Sequence, residues 1–274
     1  MHYTIIDMEK DPRCGQFAYF RAMQYPFASV TVEVDITDMM TARGSRPFFL
    51  SLLYAVVRAA NAVPQLRRRI LPDGRVAEYD WCAPSYTAMK PDGVYVYCTV
   101  EGDMPYGTFI AEGQRRQREV LERGTLTEDG DVRSFFFVSS VPWVHYSQLQ
   151  HPAESPDDSN PRISWGKYVT VNGRTTLPVS LFVNHALADG LHISRFFLNL
   201  EKELADLKRQ NAISEMSKTA RKMLADEEIN IPDELLAHLV SESAEDTKTA
   251  VEAFAKMYKD AVQAAVKDAL KGNA

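Results

Sequence analysis

Leu181-Phe-Val-Asn-His-Ala-Leu-Ala-Asp-Gly-Leu-His192 is the stretch on which the reading of this 274-residue chain turns. An apolar run of β type leads into it, and it sets His185 and Asp189 four residues apart with Gly190 directly after the acid. Beyond Gly190 the apolar spacing changes, and Phe197, Leu200, Leu204 and Leu207 mark a helix. A histidine at the end of a strand, just before a helix, is held on rigid backbone. Its reference pKa of about 6.5 leaves much of it neutral and able to take a proton from a hydroxyl. Asp189 is expected to orient the turn, and Gly190 to permit a tight entry into the helix. Taken alone, His-x-x-x-Asp is a weak pattern, and a solvated loop is the competing reading. Adding His192 produces no metal-ligand spacing, so no metal is expected. His2, His145, His151 and His238 have no comparable setting and read as surface or core residues.

Working outward, Asn172-Gly173 is a two-residue hairpin signal between Lys167–Val171 and Thr175–Val183, and the second arm runs straight into His185. Strand-like runs at Arg75–Asp80, Ser85–Met89, Val94–Val100 and Phe135–Val138 are separated by Pro and Gly punctuation. Val30, Val32, Val34 and Ile36 alternate with polar residues, the period of a half-buried strand. Phe17–Met23 reads as an aromatic-rich helix closed by Tyr25-Pro26, and Ala111–Arg123 as a polar one. Phe48, Phe49, Leu52, Leu53, Val56, Val57 and Ala60 recur at helical spacing and predict an amphipathic helix. Strands interspersed with helices, with hairpins among the strands, predict an α/β fold of α+β type with a largely mixed sheet. From about Asn211 no strand signal remains. Ile231-Pro232-Asp233 reads as a helix start, and Val251, Phe254, Ala255, Tyr258, Val262, Ala265 and Ala269 form one helical stripe. This tail is expected to pack on the main domain or on a partner subunit.

Composition narrows the function classes. A formal net charge of −6 argues against nucleic acid and against an anionic membrane surface as partners. No apolar run reaches membrane-spanning length, and the first ten residues lack the pattern of a signal peptide. Three cysteines without paired spacing argue against a disulfide framework, so a cytoplasmic location is expected.

Four stretches in order resemble the chloramphenicol acetyltransferase family, over residues 1 to about 208. The family's His-His-Ala-Val-x-Asp-Gly-Phe-His stands as Asn184-His-Ala-Leu-Ala-Asp-Gly-Leu-His192. Its Phe-Phe-Val-Ser-x-x-Pro-Trp is matched by Phe136-Phe-Val-Ser-Ser-Val-Pro-Trp143, and its Gly-Lys-Tyr by Gly166-Lys167-Tyr168, preceded by Ser164 where Thr is common. Arg13, Phe17, Arg21 and Asp35-Ile36-Thr37 fall at the family's spacing near the start.

The resemblance implies a two-layer mixed β-sheet flanked by helices, with a catalytic domain at 1–208 and a C-terminal helical extension at 209–274 that lies outside the usual family length. It implies acetyl-CoA as co-substrate and a small hydroxyl acceptor, chloramphenicol in the name-giving members. His185 would be the general base and Ser139 the hydrogen-bond donor to the oxyanion, with Asp189 paired to Arg13 as a structural brace. Trp143, Lys167 and Tyr168 would lie near the coenzyme A channel, though core packing is the competing reading for the two rings. Tyr19, Phe20 and Tyr25 would line the acceptor pocket, and Ser164 would position a water or the intermediate. The resemblance also implies a homotrimer with active sites between subunits, so that His185 and Ser139 come from different chains.

Departures bear on the acceptor. Asn184 and Leu191 replace a histidine and a phenylalanine of the family pattern, while Pro26 and Ala28 stand where antibiotic-acetylating members carry Cys and Phe. A differently lined pocket favours a different hydroxyl compound, so transfer to another small alcohol or amine is the alternative. Dihydrolipoyl acyltransferases share a related core but usually carry lipoyl and linker segments ahead of it, which this sequence does not show. A non-catalytic homologue is the reading from a different class.

Overall fold

A computed structural model describes residues 2–124 and 130–271, which fall into two compact units, Met1–Ala205 and Asp206–Ala274. The first unit opens with β1 (Tyr3–Ile6), α1 (Cys14–Arg21), β2 (Phe27–Asp35), α2 (Thr37–Ala42) and α3 (Phe48–Asn61). Strands β3 (Arg68–Ile70), β4 (Val76–Tyr79), β5 (Ala83–Met89) and β6 (Tyr95–Thr99) follow, then α4 (Tyr106–Arg123). It continues through β7 (Phe135–Val141), β8 (Arg162–Gly166), β9 (Val169–Val171) and β10 (Arg174–Asn184) into α5 (Gly190–Asp226), whose residues up to Ala205 belong to it.

Seven strands form the main sheet in the order β2-β10-β8-β7-β5-β6, with β9 also paired to β10. The sheet is mixed: β7 runs parallel to β5 and β8, and the other pairs are antiparallel. A smaller antiparallel sheet has the order β1-β4-β3. The Asn172-Gly173 hairpin forms as expected. Both residues take positive φ, 51° and 80°, and Val171 pairs with Arg174 across them.

Helix α3 differs from the amphipathic expectation, because it is buried on nearly every side. Its residues Leu50–Val57 and Ala59–Asn61 are all buried. Phe49 packs on Tyr86 and Trp165 of the sheet, Tyr54 on Tyr106 and Phe109 of α4, and Gly113 leaves the slot that the Leu50 side chain fills. The polar groups inside are paired: Ser51 Oγ donates to Pro47 O, Tyr106 OH donates to Ser51 Oγ, and Asn61 bridges the Cys82 backbone. Helix α4 begins at Tyr106, earlier than the spacing predicts, and ends at Gly124 with φ 68°. Strand β2 pairs only with β10 and is a sheet edge, which leaves Val30 40% exposed while Val34 and Ile36 are buried.

In the second unit α5 ends at Asp226, and α6 (Asp233–Leu239) and α7 (Ala244–Lys271) follow, α6 starting after Pro232 as its sequence predicts. Ala220, Leu224, Ile229, Ile231, Leu236, Val251 and Ala255 form its core. The later members of the α7 stripe, Tyr258, Val262, Ala265 and Ala269, are exposed on the single chain, and the core of this unit reaches Ala255.

Candidate active site

The His185 turn is built by pairing at both ends. Strand β10 carries the chain to Asn184, whose register partner on β2 is Phe27, and the His185 N–H donates to Pro26 O at 2.7 Å. Asn184 is buried. Its amide donates to Pro156 O and Asp158 O at 2.8 and 3.0 Å, and its side-chain oxygen accepts from Ala186 N–H. This residue therefore ties the turn to the loop ahead of β8. The His185 ring stacks on Phe20 of α1, with centroids 4.0 Å apart and planes 9° from parallel. Its Nδ1 is buried with no hydrogen-bond partner among the described residues.

Asp189 holds the far side of the turn. Its Oδ2 accepts from Arg13 Nη1, and Arg13 Nη2 also donates to His185 O at 3.2 Å, so one guanidinium grips both ends of the motif. Its Oδ1 accepts from the Leu191 N–H at 3.0 Å and lies 2.7 Å from His192 Nδ1, which makes Asp189 the cap of α5. Burial pushes the Asp189 carboxyl up, but the hydrogen bond and charge of Arg13 outweigh it and hold the acid below its ordinary value. His192 is pushed down by burial despite the Asp189 charge. Gly190 is not needed for the turn. It starts α5 without positive φ, and a Cβ there meets nothing within 4 Å.

Ser139 lies two strands away, on β7. The register aligns Ser139, Ser164, Ser180 and Thr31 on β7, β8, β10 and β2, one row of hydroxyls across the sheet. Paired positions on neighbouring strands share a face, so these hydroxyls sit on one side. The next row on that face is Phe137, Arg162 and Phe182, with the Arg162 guanidinium 5.5 and 5.6 Å from the two ring centroids. Trp165, on the opposite face, is core against Phe49. Two cavities meet at Ser139. One, of about 360 Å³, is lined by Ser85, Tyr95, Tyr97, Phe137, His151 and Arg162 among others; the second, of about 540 Å³, runs past Met89, Gln117, Pro142 and Trp143. Neither is lined by His185, so neither of these two cavities brings His185 and Ser139 together.

Ser164 is wholly buried, and its hydroxyl lies 2.5 Å from His151 Nε2. His151, read from the sequence as a surface or core residue, is half-buried, and its ring lines the cavity beside Ser139. Burial, with the neighbouring Arg162 charge, holds the His151 pKa down to about 4. No local pattern marks His151. It is delivered by the long connection between β7 and β8, which Asn184, Arg21 and Arg162 brace at Pro156, Asp157 and Asp158.

The remaining predicted residues are distributed as follows. Tyr19 packs edge-on against Phe20, and the Tyr25 hydroxyl accepts from Gln150. Trp143 is 65% exposed, and Tyr168, also exposed, leans on Phe48; neither ring is core. Gly166 explains part of the Gly-Lys-Tyr pattern. A Cβ there would lie 2.8 Å from Val144 O and 2.8 Å from Pro178 Cγ, so only glycine lets the Trp143 loop lie on β8. Lys167 N–H then donates to Val144 O, and His145 Nδ1 lies 2.9 Å from Lys167 O. Among the described residues no cluster of three His, Cys, Asp or Glu side chains could hold a metal ion, and no helix is long and apolar enough to cross a membrane.

A family model described as chloramphenicol acetyltransferase matches residues 1–201, and one described as capsid assembly scaffolding protein Gp46 matches residues 197–272. A chloramphenicol acetyltransferase from Vibrio anguillarum is 25% identical, covering 78% of this chain and all of the relative. Chloramphenicol acetyltransferase 2 from Escherichia coli is 28% identical, covering 73% of this chain and 96% of the relative. A solved chloramphenicol acetyltransferase structure superposes with TM-score 0.64 at 30% identity, covering 74% of this chain and the whole of that one. On a match that spans the motifs, the mixed sheet and most of the first unit, this chain belongs to the chloramphenicol acetyltransferase family.

Proposed function

We propose that this chain is an acetyl-CoA-dependent O-acetyltransferase that moves an acetyl group to a hydroxyl of chloramphenicol. Residues 1–208 would form the catalytic domain and residues 209–274 a helical extension. The observation that carries the reading is Ser139, set where two cavities meet and aligned on one sheet face with a row of hydroxyls. His185 removes the proton from the acceptor O–H as its oxygen bonds to the thioester carbonyl carbon. The carbonyl π electrons move onto oxygen, where Ser139 Oγ–H donates to the oxyanion. The intermediate collapses, the C–S bond breaks, and the coenzyme A sulfur leaves with the proton that His185 carried. Asp189 and Arg13 hold the turn and take no proton. Trp143, Lys167 and Tyr168 flank the coenzyme A path, and Tyr19, Phe20 and Tyr25 the acceptor.

A homotrimer with sites between subunits is part of this reading. It is supported by the absence of His185 from both Ser139 cavities and by the exposure of Tyr19, Tyr25, Trp143 and Tyr168 on the single chain. A cytoplasmic location is in keeping with three free cysteines. A second reading, transfer to another small alcohol, is favoured by Pro26 and Ala28, which stand where antibiotic-acetylating members carry Cys and Phe.

Thiol release from acetyl-CoA, with and without chloramphenicol, tests the reading. Wild type is expected to release thiol only with acceptor, and His185→Ala to lose at least about 10²-fold of that rate. Ser139→Ala is expected to lose about 10²–10³-fold. Release with another alcohol but not chloramphenicol selects the second reading, and none across a broad acceptor panel leaves a non-catalytic homologue.

A further inference from the structure

We infer that His151 determines acceptor choice: its ring donates a hydrogen bond into the cavity beside Ser139 and selects alcohols carrying a second neutral oxygen over alcohols whose remainder is hydrocarbon. The inference rests on the acyl-transfer reading, because Ser139 is what ties this cavity to the reacting atoms.

The tautomer follows from what surrounds Ser164. That serine is wholly buried, and among the described residues its hydroxyl has His151 Nε2 as its hydrogen-bond partner, at 2.5 Å. A buried O–H needs an acceptor, and a bare Nε2 supplies it. The ring proton then sits on Nδ1. That atom has no protein partner among the described residues and is not among the buried unpaired atoms, so it is open to solvent on a ring that lines the cavity. The donor is neutral, since burial and the Arg162 charge hold the ring unprotonated well below pH 7. Arg162 does not turn the cavity into an anion site, because its guanidinium is engaged by Asp158, 2.5 Å from Nη2 to Oδ2. The His151 N–H therefore adds a neutral ring donor to a lining that also carries the hydroxyls of Ser85, Thr87, Tyr95, Tyr97 and Ser139 and the apolar surfaces of Phe137 and Pro152, a match for a carbonyl, ether, nitro or further hydroxyl oxygen.

The test compares chloramphenicol, rich in neutral oxygens, with 3-phenylpropan-1-ol as acceptors for wild type, His151→Leu and His151→Gln, using acetyl-CoA as donor. The kcat/KM ratio of the two acceptors is expected to fall about 10-fold in His151→Leu, through the chloramphenicol KM, and to recover in His151→Gln, whose amide restores a donor. The KM for acetyl-CoA is expected to stay unchanged. In wild type, the ¹⁵N resonance of His151 Nδ1 is expected to shift on adding chloramphenicol and not on adding the hydrocarbon alcohol, a readout independent of how the variants fold. An unchanged ratio in His151→Leu, or a resonance indifferent to chloramphenicol, overturns the role of His151 while leaving acyl transfer intact. Wild type that releases thiol with neither alcohol overturns both.

Discussion

The Arg13–Asp189 pair shows how far one residue's role depends on its neighbours. Removing Asp189 leaves the Arg13 guanidinium only its His185 carbonyl partner among the described residues, and uncaps α5. Asp189 is 31% exposed, so the low end of the range for charged hydrogen bonds applies, about 1.5 kcal/mol. Asp189→Ala is therefore expected to lower Tm by roughly 3–6 °C in scanning calorimetry. His151 makes a pH prediction of definite sign. Its folded-state pKa of about 4 lies below the ordinary value of about 6.5, so between those limits the unfolded chain takes up a proton that the folded chain refuses. The stability linked to this group is full above about pH 6.5 and is lost as pH falls towards 4. Urea midpoints at pH 7 and pH 4.5 are expected to fall further in wild type than in His151→Gln.

At the scale of elements, the register of β7, β8 and β10 does the work that side-chain contacts alone would not. A slip of one residue on β8 would turn Ser164 to the Trp165 face and scatter the hydroxyl row. Gly166 guards the end of that strand. Gly166→Ala places a methyl against Val144 O and Pro178, and overpacking of this sort costs about 1–3 kcal/mol. Because Val144 O belongs to backbone, the loop rather than a rotamer must move, and Trp143 moves with it. The expected result is a raised KM for acetyl-CoA, measured by thiol release, with the chloramphenicol KM little changed. The elements legible beforehand were those with a strong local period or turn chemistry: the β9–β10 hairpin, β5, β6 and α3. Strands β1 and β3 and the helix α2 are too short to announce themselves by period, and pairing partners stabilise the strands.

At the scale of the whole molecule, the outer part of α7 is a separable piece. From Lys256 to Lys271 its side chains are exposed, whereas the core of the second unit ends at Ala255. Deleting residues 260–274 is expected to leave thiol release unchanged and Tm within about 1 °C, measured by calorimetry, since surface changes away from packing sites cost little. The strand-to-helix setting of the His185–Asp189 motif, the Asn-Gly hairpin and the helical tail were determined by the chain's own local order, because turn chemistry and apolar period act over a few residues; Ser139 with its Pro-Trp flank was legible only through the family resemblance. Only the tertiary structure decided that α3 is buried all round, that Gly190 is dispensable to the turn while Gly166 is not, and that His151 meets Ser164 across 13 residues of chain. Those facts depend on which surfaces pack together, and side chains brought together by irregular loops leave no periodic trace in the sequence that encodes them.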